Sequence, residues 1–208
     1  MSSRRPIILH AHMYKNAGST LDWSLRRSFG AGHVARVEDK AMRDNLKSLY
    51  SYVDEHPRVR VLSSHWLPLP VPAVSWLRPY VLLFLRHPVD RCRSVYNFAR
   101  KQQHSDQIGA KQAREFSFVD FVKWRLETTS GPVIRDFQTR YCSGKYTGQD
   151  MDELYELAVA NLDATPFVGL VHRYPESIAL FEAPATGLSA YRPFLESQEC
   201  QSNRRDHG

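Results

Sequence analysis

The chain has 208 residues, 42% of them apolar and 24% charged, with a formal net charge of +6 at pH 7. That length buries a core without disulfides or a structural metal, and the composition excludes a disordered chain and a membrane fold. The cationic excess suits solubility or attraction for anions, and charge alone does not choose among nucleotides, acidic glycans and nucleic acid.

Cys92, Cys142 and Cys200 are odd in number and widely spaced, which fits a reducing compartment and offers no metal-binding pattern. Behind the basic N-terminus only Ile7, Ile8 and Leu9 form an apolar run, too short for a signal peptide, and no run approaches a membrane span. The expectation is a soluble, cytoplasmic protein.

Ile7, Ile8 and Leu9 read as a buried strand. A tight turn of Lys15, Asn16, Ala17 and Gly18 follows, then a helix opening at Ser19 and Thr20. A strand that feeds a helix through a small-residue turn aims backbone N–H groups and the positive helix end outward, which makes a phosphate cradle. Lys15 adds a full charge beside it.

Leu21, Leu25 and Phe29 recur at helical spacing, and Gly30 and Gly32 end that helix. Leu46, Leu49, Tyr50 and Val53 predict a second helix over 38–55, stopped by Pro57. Val59, Val61 and Leu62 form a short strand that runs into Ser63, Ser64, His65 and Trp66. Pro68, Pro70 and Pro72 predict a surface loop with apolar side chains. Residues 80–85 are continuously apolar, the pattern of a central parallel strand covered on both faces. Arg86 follows directly, and Pro88 suits the first turn of a helix carrying Cys92, Val95, Tyr96 and Ala99 inward.

Residues 101–115 are polar and read as a mobile surface segment. Ser117 with Asp120 resembles a capping box for a helix with Phe118, Phe121, Val122 and Leu126 inward. Met151, Leu154, Leu157 and Ala158 mark a further helix, 167–171 a short strand and 176–182 a short helix. From Ala183 the chain reads as irregular. Strands alternating with helices, without hairpin signals, predict one α/β domain over 1–208, a central parallel sheet flanked by helices. Ligands of such sheets lie beyond the carboxyl ends of the strands, where Lys15, His65 and Arg86 should converge.

A nucleotide-hydrolysing P-loop needs Lys after its last glycine and an acidic strand end for magnesium. Here Lys15 precedes Gly18, and the apolar strand 80–85 ends in Arg86. A cation where the metal ligand would stand implies a second anion held directly, without metal.

These residues resemble the sulfotransferases that use 3′-phosphoadenosine 5′-phosphosulfate, particularly the carbohydrate type that includes heparan sulfate 2-O-sulfotransferase. Lys15-Asn-Ala-Gly-Ser-Thr20 is similar to that family's loop for the 5′-phosphosulfate. The segment from Arg86 to Tyr96, an Arg with Ser94 eight residues later, is similar to its 3′-phosphate motif. Weaker echoes are Asp136 to Arg140 with Gly144, and 167–171. The resemblance spans 7–182 and implies a P-loop-like sulfotransferase fold with no metal.

It also implies roles. The backbone and hydroxyls of Asn16, Ala17, Gly18, Ser19 and Thr20 would hold the 5′-phosphate, and Lys15 would neutralise the leaving group. Arg86 and Ser94 would clamp the 3′-phosphate. The acceptor is a hydroxyl, of a glycan or small glycoside in the first instance, with tyrosine or lipid as alternatives. No nucleic-acid partner or membrane span is expected, and the oligomeric state is open.

For the general base, His65 at a strand end is the first candidate, because imidazole titrates near neutrality. A hydrogen-bonded structural histidine is its bland alternative. His12 and His10, alternating along the first strand, are rivals; Asp22 and Glu38 are acidic ones, although Asp22 reads better as a first-turn carboxylate favoured by the helix dipole. Trp66, with Leu67 and Leu69, is either core packing or a platform for a sugar ring. Arg204 and Arg205 belong to a basic chain end. Two competing readings remain: a P-loop-type nucleotide phosphotransferase, and a non-catalytic anion binder whose affinity falls steeply with salt.

Overall fold

A computed structural model describes residues 4–128, 131–145 and 150–185. The described residues fall into two compact units, one drawn from Met1–Leu85 and Ala160–Gly208, the other from Arg86–Val159. Each is taken by itself.

The first unit holds a five-stranded parallel sheet flanked by helices. Its strands are β1 (Arg5–Ala11), β2 (Val34–Arg36), β3 (Val61–Ser64), β4 (Leu77–Leu85) and β5 (Phe167–Leu170), in the order β2-β3-β1-β4-β5. Helix α1 (Gly18–Phe29) follows β1, and α9 (Tyr174–Ala185) follows β5. β1 is central: Ala11 lies level with Ser64 of β3 on one side and Leu83 of β4 on the other. Strands buried on both faces must be apolar throughout, which is why β1 and β4 read as continuous runs.

Ile8, Val61, Leu82 and Phe84 from the sheet pack with Leu21, Leu25 and Phe29 of α1 and Ile178 and Phe181 of α9 into one cluster. Each such side chain contributes about 1.5–3 kcal/mol of burial. The α1 stripe at four-residue spacing is therefore what seats that helix on the sheet. Gly30, in the left-handed region at φ 84°, ends it.

The structure departs from the sequence reading in several places. The helix expected over 38–55 is two helices, α2 (Ala41–Asp44) and α3 (Leu46–Glu55). Asn45 is extended between them, and its Oδ1 accepts the Lys47 N–H at 3.1 Å, so the residue starts a new helix and ends the old one. β2 was not anticipated; three residues after a glycine-rich stretch carry no readable period. β4 begins earlier than expected and includes Pro79. That residue pairs with β1, while β5 joins β4 only from Leu82 onward, so proline sits where β4 has one neighbour. α9 continues to Ala185, past the expected end at 182, and the remaining tail with Cys200, Arg204 and Arg205 lies outside the described residues.

The second unit consists of α4 (Pro88–Lys101), α5 (Ile108–Glu115), α6 (Phe118–Glu127), α7 (Phe137–Ser143) and the first part of α8 (Met151–Asp163). Pro88 stands in the first turn of α4, and Ser117 caps α6 by accepting the Asp120 N–H at 3.2 Å. The segment expected to be mobile over 101–115 contains α5. Its buried face is Gly109, Ala110 and Ala113, too small to register as apolar periodicity. A Cβ on Gly109 would lie 2.0 Å from Arg125 Nη2, the far end of a flexible side chain that would have to shift. Tyr96 packs edge-on against Phe118 and tilted against Phe121, with ring centroids 5.7 and 5.3 Å away. Leu126, expected inward, is 40% exposed, because Phe121 alone of the α6 residues is fully buried. Among the described residues no helix is long and apolar enough to cross a membrane.

Candidate functional site

The turn after β1 has the backbone a cradle needs. Lys15 and Ala17 both adopt left-handed conformations, at φ 65° and 63°. Two such residues around Asn16 reverse the chain within one turn and deliver it to α1 at Gly18. Ala17 occupies the N-cap, where alanine has no side chain to satisfy the first helical amides. Asn16 is buried, and its Nδ2–H donates to the Phe84 carbonyl at 2.7 Å, tying the turn to the carboxyl end of β4. Ser19 and Thr20 are exposed, and Lys15 is half-buried with its ammonium 5.8 Å from the Tyr14 ring.

Beneath the turn lies a buried polar cluster. His10 and His12 alternate along the end of β1, and both rings turn toward Asp22 of α1. The Nδ1–H of His10 donates to Asp22 Oδ1 at 2.8 Å, and that of His12 to Oδ2 at 3.0 Å. Arg36, the last residue of β2, donates Nη1–H to the same Oδ2 at 2.8 Å and Nε–H to Glu38 at 2.8 Å. Its Nη1 lies 3.0 Å from His12 Nδ1, an approach of two donors to one shared acceptor oxygen. The Ser63 hydroxyl of β3 completes the cluster, 3.0 Å from His10 Nδ1.

Asp22 is therefore not the first-turn carboxylate the sequence suggested. α1 begins at Gly18, which puts Asp22 in the second turn on the inward face, 7% exposed. Burial alone would raise its carboxyl, but the bonds from His10 and His12 outweigh that and hold it far below the usual carboxylate range. Burial lowers the His12 imidazole, partly offset by its bond to Asp22. Its bond to Asp22 puts a proton on Nδ1 and leaves Nε2 as the ring's outer nitrogen. That Nε2 faces the helix start: a Cβ on Gly18 would fall 2.0 Å from His12 Cδ2 and 2.2 Å from Nε2. Glycine is required there by close approach.

His65 follows β3, next to β1, and is half-buried. Its Nδ1–H donates to the His12 carbonyl, and its Nε2 accepts from Arg36 Nη2–H at 3.0 Å. These two partners fix the tautomer: the proton is on Nδ1 and the lone pair on Nε2. Burial and the neighbouring His12 lower its pKa, while Glu38 opposes them. The rings of His65 and His12 are 4.4 Å apart. Lys15 and His65 thus lie beyond the carboxyl ends of adjacent strands, as the sequence reading expected of them.

His10, His12 and Asp22 also offer three metal-ligating atoms within 4.8 Å of one another. The Arg36 guanidinium, 2.8 Å from Asp22 Oδ2, already supplies a cation to that carboxylate. Both Nδ1 atoms are committed to the same carboxylate as donors, so the arrangement fits an ion-pair network better than a metal.

Trp66 is half-buried, with Arg43 5.3 Å and Lys40 5.9 Å from its ring centroid. Leu67 and Leu69 are buried, the core-packing alternative of the sequence reading.

In the second unit, Arg86 and Ser94 are both half-buried. Gln138 holds the Arg86 backbone from both sides: its Oε1 accepts the Arg86 N–H and its Nε2–H donates to the Arg86 carbonyl, each at 2.9 Å. Arg91, 2% exposed, lies 3.9 Å from the Phe137 ring centroid and donates to the Val133 carbonyl at 2.9 Å. A cavity of about 130 Å³ opens there, lined by Pro88, Arg91, Asp136, Phe137 and Gln138 among others.

Arg36 escaped the sequence reading, because it sits on a three-residue strand. Gln138 entered it only as part of the weaker echo from Asp136 to Arg140, with no role given, because it acts through its carboxamide on a distant backbone. No family model matches the sequence. An uncharacterized protein of Archaeoglobus fulgidus is 28% identical over 184 residues, covering 86% of this chain and 72% of that protein. Among solved structures, the crystal structure of a sulfotransferase from Alicyclobacillus acidocaldarius superposes with a TM-score of 0.51 at 16% identity, covering 88% of this chain and 81% of the other. The chain has a sulfotransferase-like fold.

Proposed function

We propose that this protein is a sulfotransferase that moves a sulfuryl group from 3′-phosphoadenosine 5′-phosphosulfate to an acceptor hydroxyl, of carbohydrate class. The observation that carries this reading is the turn between β1 and α1. Lys15 and Ala17 are left-handed there, Gly18 opens the helix, and no side chain at the N-cap competes for its amides. Such a turn suits the 5′-phosphate end of the donor. Arg86 and Ser94 receive the 3′-phosphate, Arg86 as the charge-assisted partner. The carbohydrate acceptor rests on the resemblance of the two motifs, and the sulfotransferase-like fold supports the reading as a whole.

His65 acts as general base. Its Nε2 carries the lone pair, and its half-buried position leaves it approachable, whereas the His12 Nε2 edge is packed against Gly18. The acceptor O–H gives its proton to His65 Nε2 as the new O–S bond forms. The bond from sulfur to the bridging phosphate oxygen breaks, and its electron pair stays on that oxygen, where Lys15 offsets the charge. The resulting imidazolium keeps its Nδ1–H on the His12 carbonyl and returns the extra proton to solvent.

Calorimetry with adenosine 3′,5′-bisphosphate in the presence of a chelator tests the donor assignment. Metal-independent binding that Arg86→Ala abolishes is the expected result, and a preference for ATP with magnesium overturns it in favour of a phosphotransferase. With labelled donor and a panel of glycans, His65→Ala should retain nucleotide binding and lose about 10²-fold or more of turnover.

A further inference from the structure

The guanidinium of Arg36 makes three directional contacts at once. Nε–H goes to Glu38 at 2.8 Å, Nη1–H to Asp22 at 2.8 Å and Nη2–H to His65 Nε2 at 3.0 Å. The first two partners are carboxylates and hold the fork by charge. The third is neutral and binds it only through the lone pair that the proposed base needs. An acceptor hydroxyl cannot donate to Nε2 while Nη2–H is already there, because an imidazole nitrogen has one lone pair.

We propose that Arg36 is the positioning residue of this base: it occupies His65 Nε2 when no acceptor is bound, holds the ring from that side while the His12 carbonyl keeps the proton on Nδ1, and yields the lone pair to the acceptor hydroxyl while Asp22 and Glu38 keep the guanidinium tethered nearby. The inference rests on His65 being the base. A neutral-to-charge-assisted bond of this kind is exchangeable at modest cost, while two charge-assisted anchors are not. Arg36 therefore pivots at Nη2 without leaving the site. Its side chain is 32% exposed and Asp22 10%, so the outer end of the fork has room to move and the inner end has little.

The groups around His65 are His12, with a ring centroid 4.4 Å away, Tyr14 at 6.4 Å, Arg36 and Glu38. Burial and the His12 ring disfavour a charged His65 most, Glu38 and the His12 carbonyl favour it, and Arg36 disfavours it to a smaller extent. Replacing Arg36 by a neutral residue should thus raise the His65 pKa and free its Nε2.

The test is ¹⁵N-detected titration of the His65 imidazole in the full-length protein, compared with Arg36→Gln and Arg36→Lys, with circular dichroism to verify folding. Wild type should show an unprotonated, hydrogen-bonded Nε2. Arg36→Gln should show an altered Nε2 environment and a higher pKa, with the proton still on Nδ1. Arg36→Lys, which keeps the charge without the fork, should restore the pKa more than the Nε2 hydrogen bond. In sulfuryl transfer, Arg36→Gln should lower kcat about tenfold to 10²-fold with little change in donor KM, and move the acidic limb of the pH profile upward. An unchanged Nε2 signal and pKa in Arg36→Gln overturns the proposal, and so does an altered Nε2 signal with unchanged kcat. A protein inactive with every donor and acceptor would fail the sulfotransferase reading instead; the titration then decides the Arg36–His65 pairing by itself.

Discussion

The turn after β1 and the segment that opens the second unit hold their cations in different ways. Both use a carboxamide on the backbone: Asn16 bonds the Phe84 carbonyl, and Gln138 bonds both the N–H and the carbonyl of Arg86. Lys15 and Arg86 are each half-buried above a pinned main chain. Beneath the first turn, however, charge itself is buried. Asp22 takes bonds from His10, His12 and Arg36, and His12 is wedged against Gly18. At Arg86 no comparable carboxylate cluster appears among the described residues. The first region is rigid because its charges satisfy one another, the second because a neutral amide closes a small ring. Perturbing the first should cost global stability, and perturbing the second should act locally.

The largest effect is expected at Asp22. Asp22→Ala leaves two imidazole N–H groups and a guanidinium converging on an empty place. Breaking a buried ionic network in this way costs about 3–5 kcal/mol, measurable by urea unfolding. Asp22→Asn tests the same point through pH. The native carboxyl lies below its unfolded value, so it contributes stability above the unfolded pKa and loses it as the pH falls through the acid range. His12 has the same sign, since a histidine held neutral loses stability as pH drops below its ordinary 6.5. Wild type should therefore weaken progressively below about pH 5, and Asp22→Asn should be less stable at pH 7 with a flatter acid limb. An equally steep limb in the variant would mean that other groups drive acid unfolding.

Gly18→Ala comes next. The added methyl meets the edge of a ring already fixed by Asp22, so ring or helix start must move. Overpacking of this kind costs about 1–3 kcal/mol, and thermal unfolding should show it. His12→Ala in the same chain should recover part of that loss by opening the space, which separates the steric clash from a general intolerance of alanine.

These contrasts also explain what could be read from the chain beforehand. The cradle was legible because strand, turn and helix each leave a local signature in a few consecutive residues, from Ile7 to Leu21. Arg86 was legible as a cation directly after an apolar run. Asp22 was visible but misread, because helix position alone does not tell which face the carboxylate takes; that depends on where the helix starts. Arg36 lies on a strand of three residues, below the length at which alternation can be seen. α5 was missed for a related reason: glycine and alanine pack a helix closely without raising its hydropathy.

The smallest effect is expected at Gln138. Gln138→Leu removes two hydrogen bonds to one backbone unit, which together contribute about 1–3 kcal/mol. Because both bonds join one side chain to one backbone unit, that loss should appear as local opening before it appears in the unfolding midpoint. Hydrogen exchange at the Arg86 amide is the direct measure, since its N–H is the donor to Gln138 Oε1. It should exchange faster in the variant while the amides of β1, and that of His12 just after it, which donates to the Ser64 carbonyl at 3.0 Å, keep their protection. Gln138→Glu sharpens the comparison: a carboxylate can still accept from Arg86 N–H but cannot donate to its carbonyl. It should restore the amide's protection only in part. If both variants instead lowered protection across β1, the second region would share the global rigidity of the first, and the distinction between buried charge and a local amide clasp would fail.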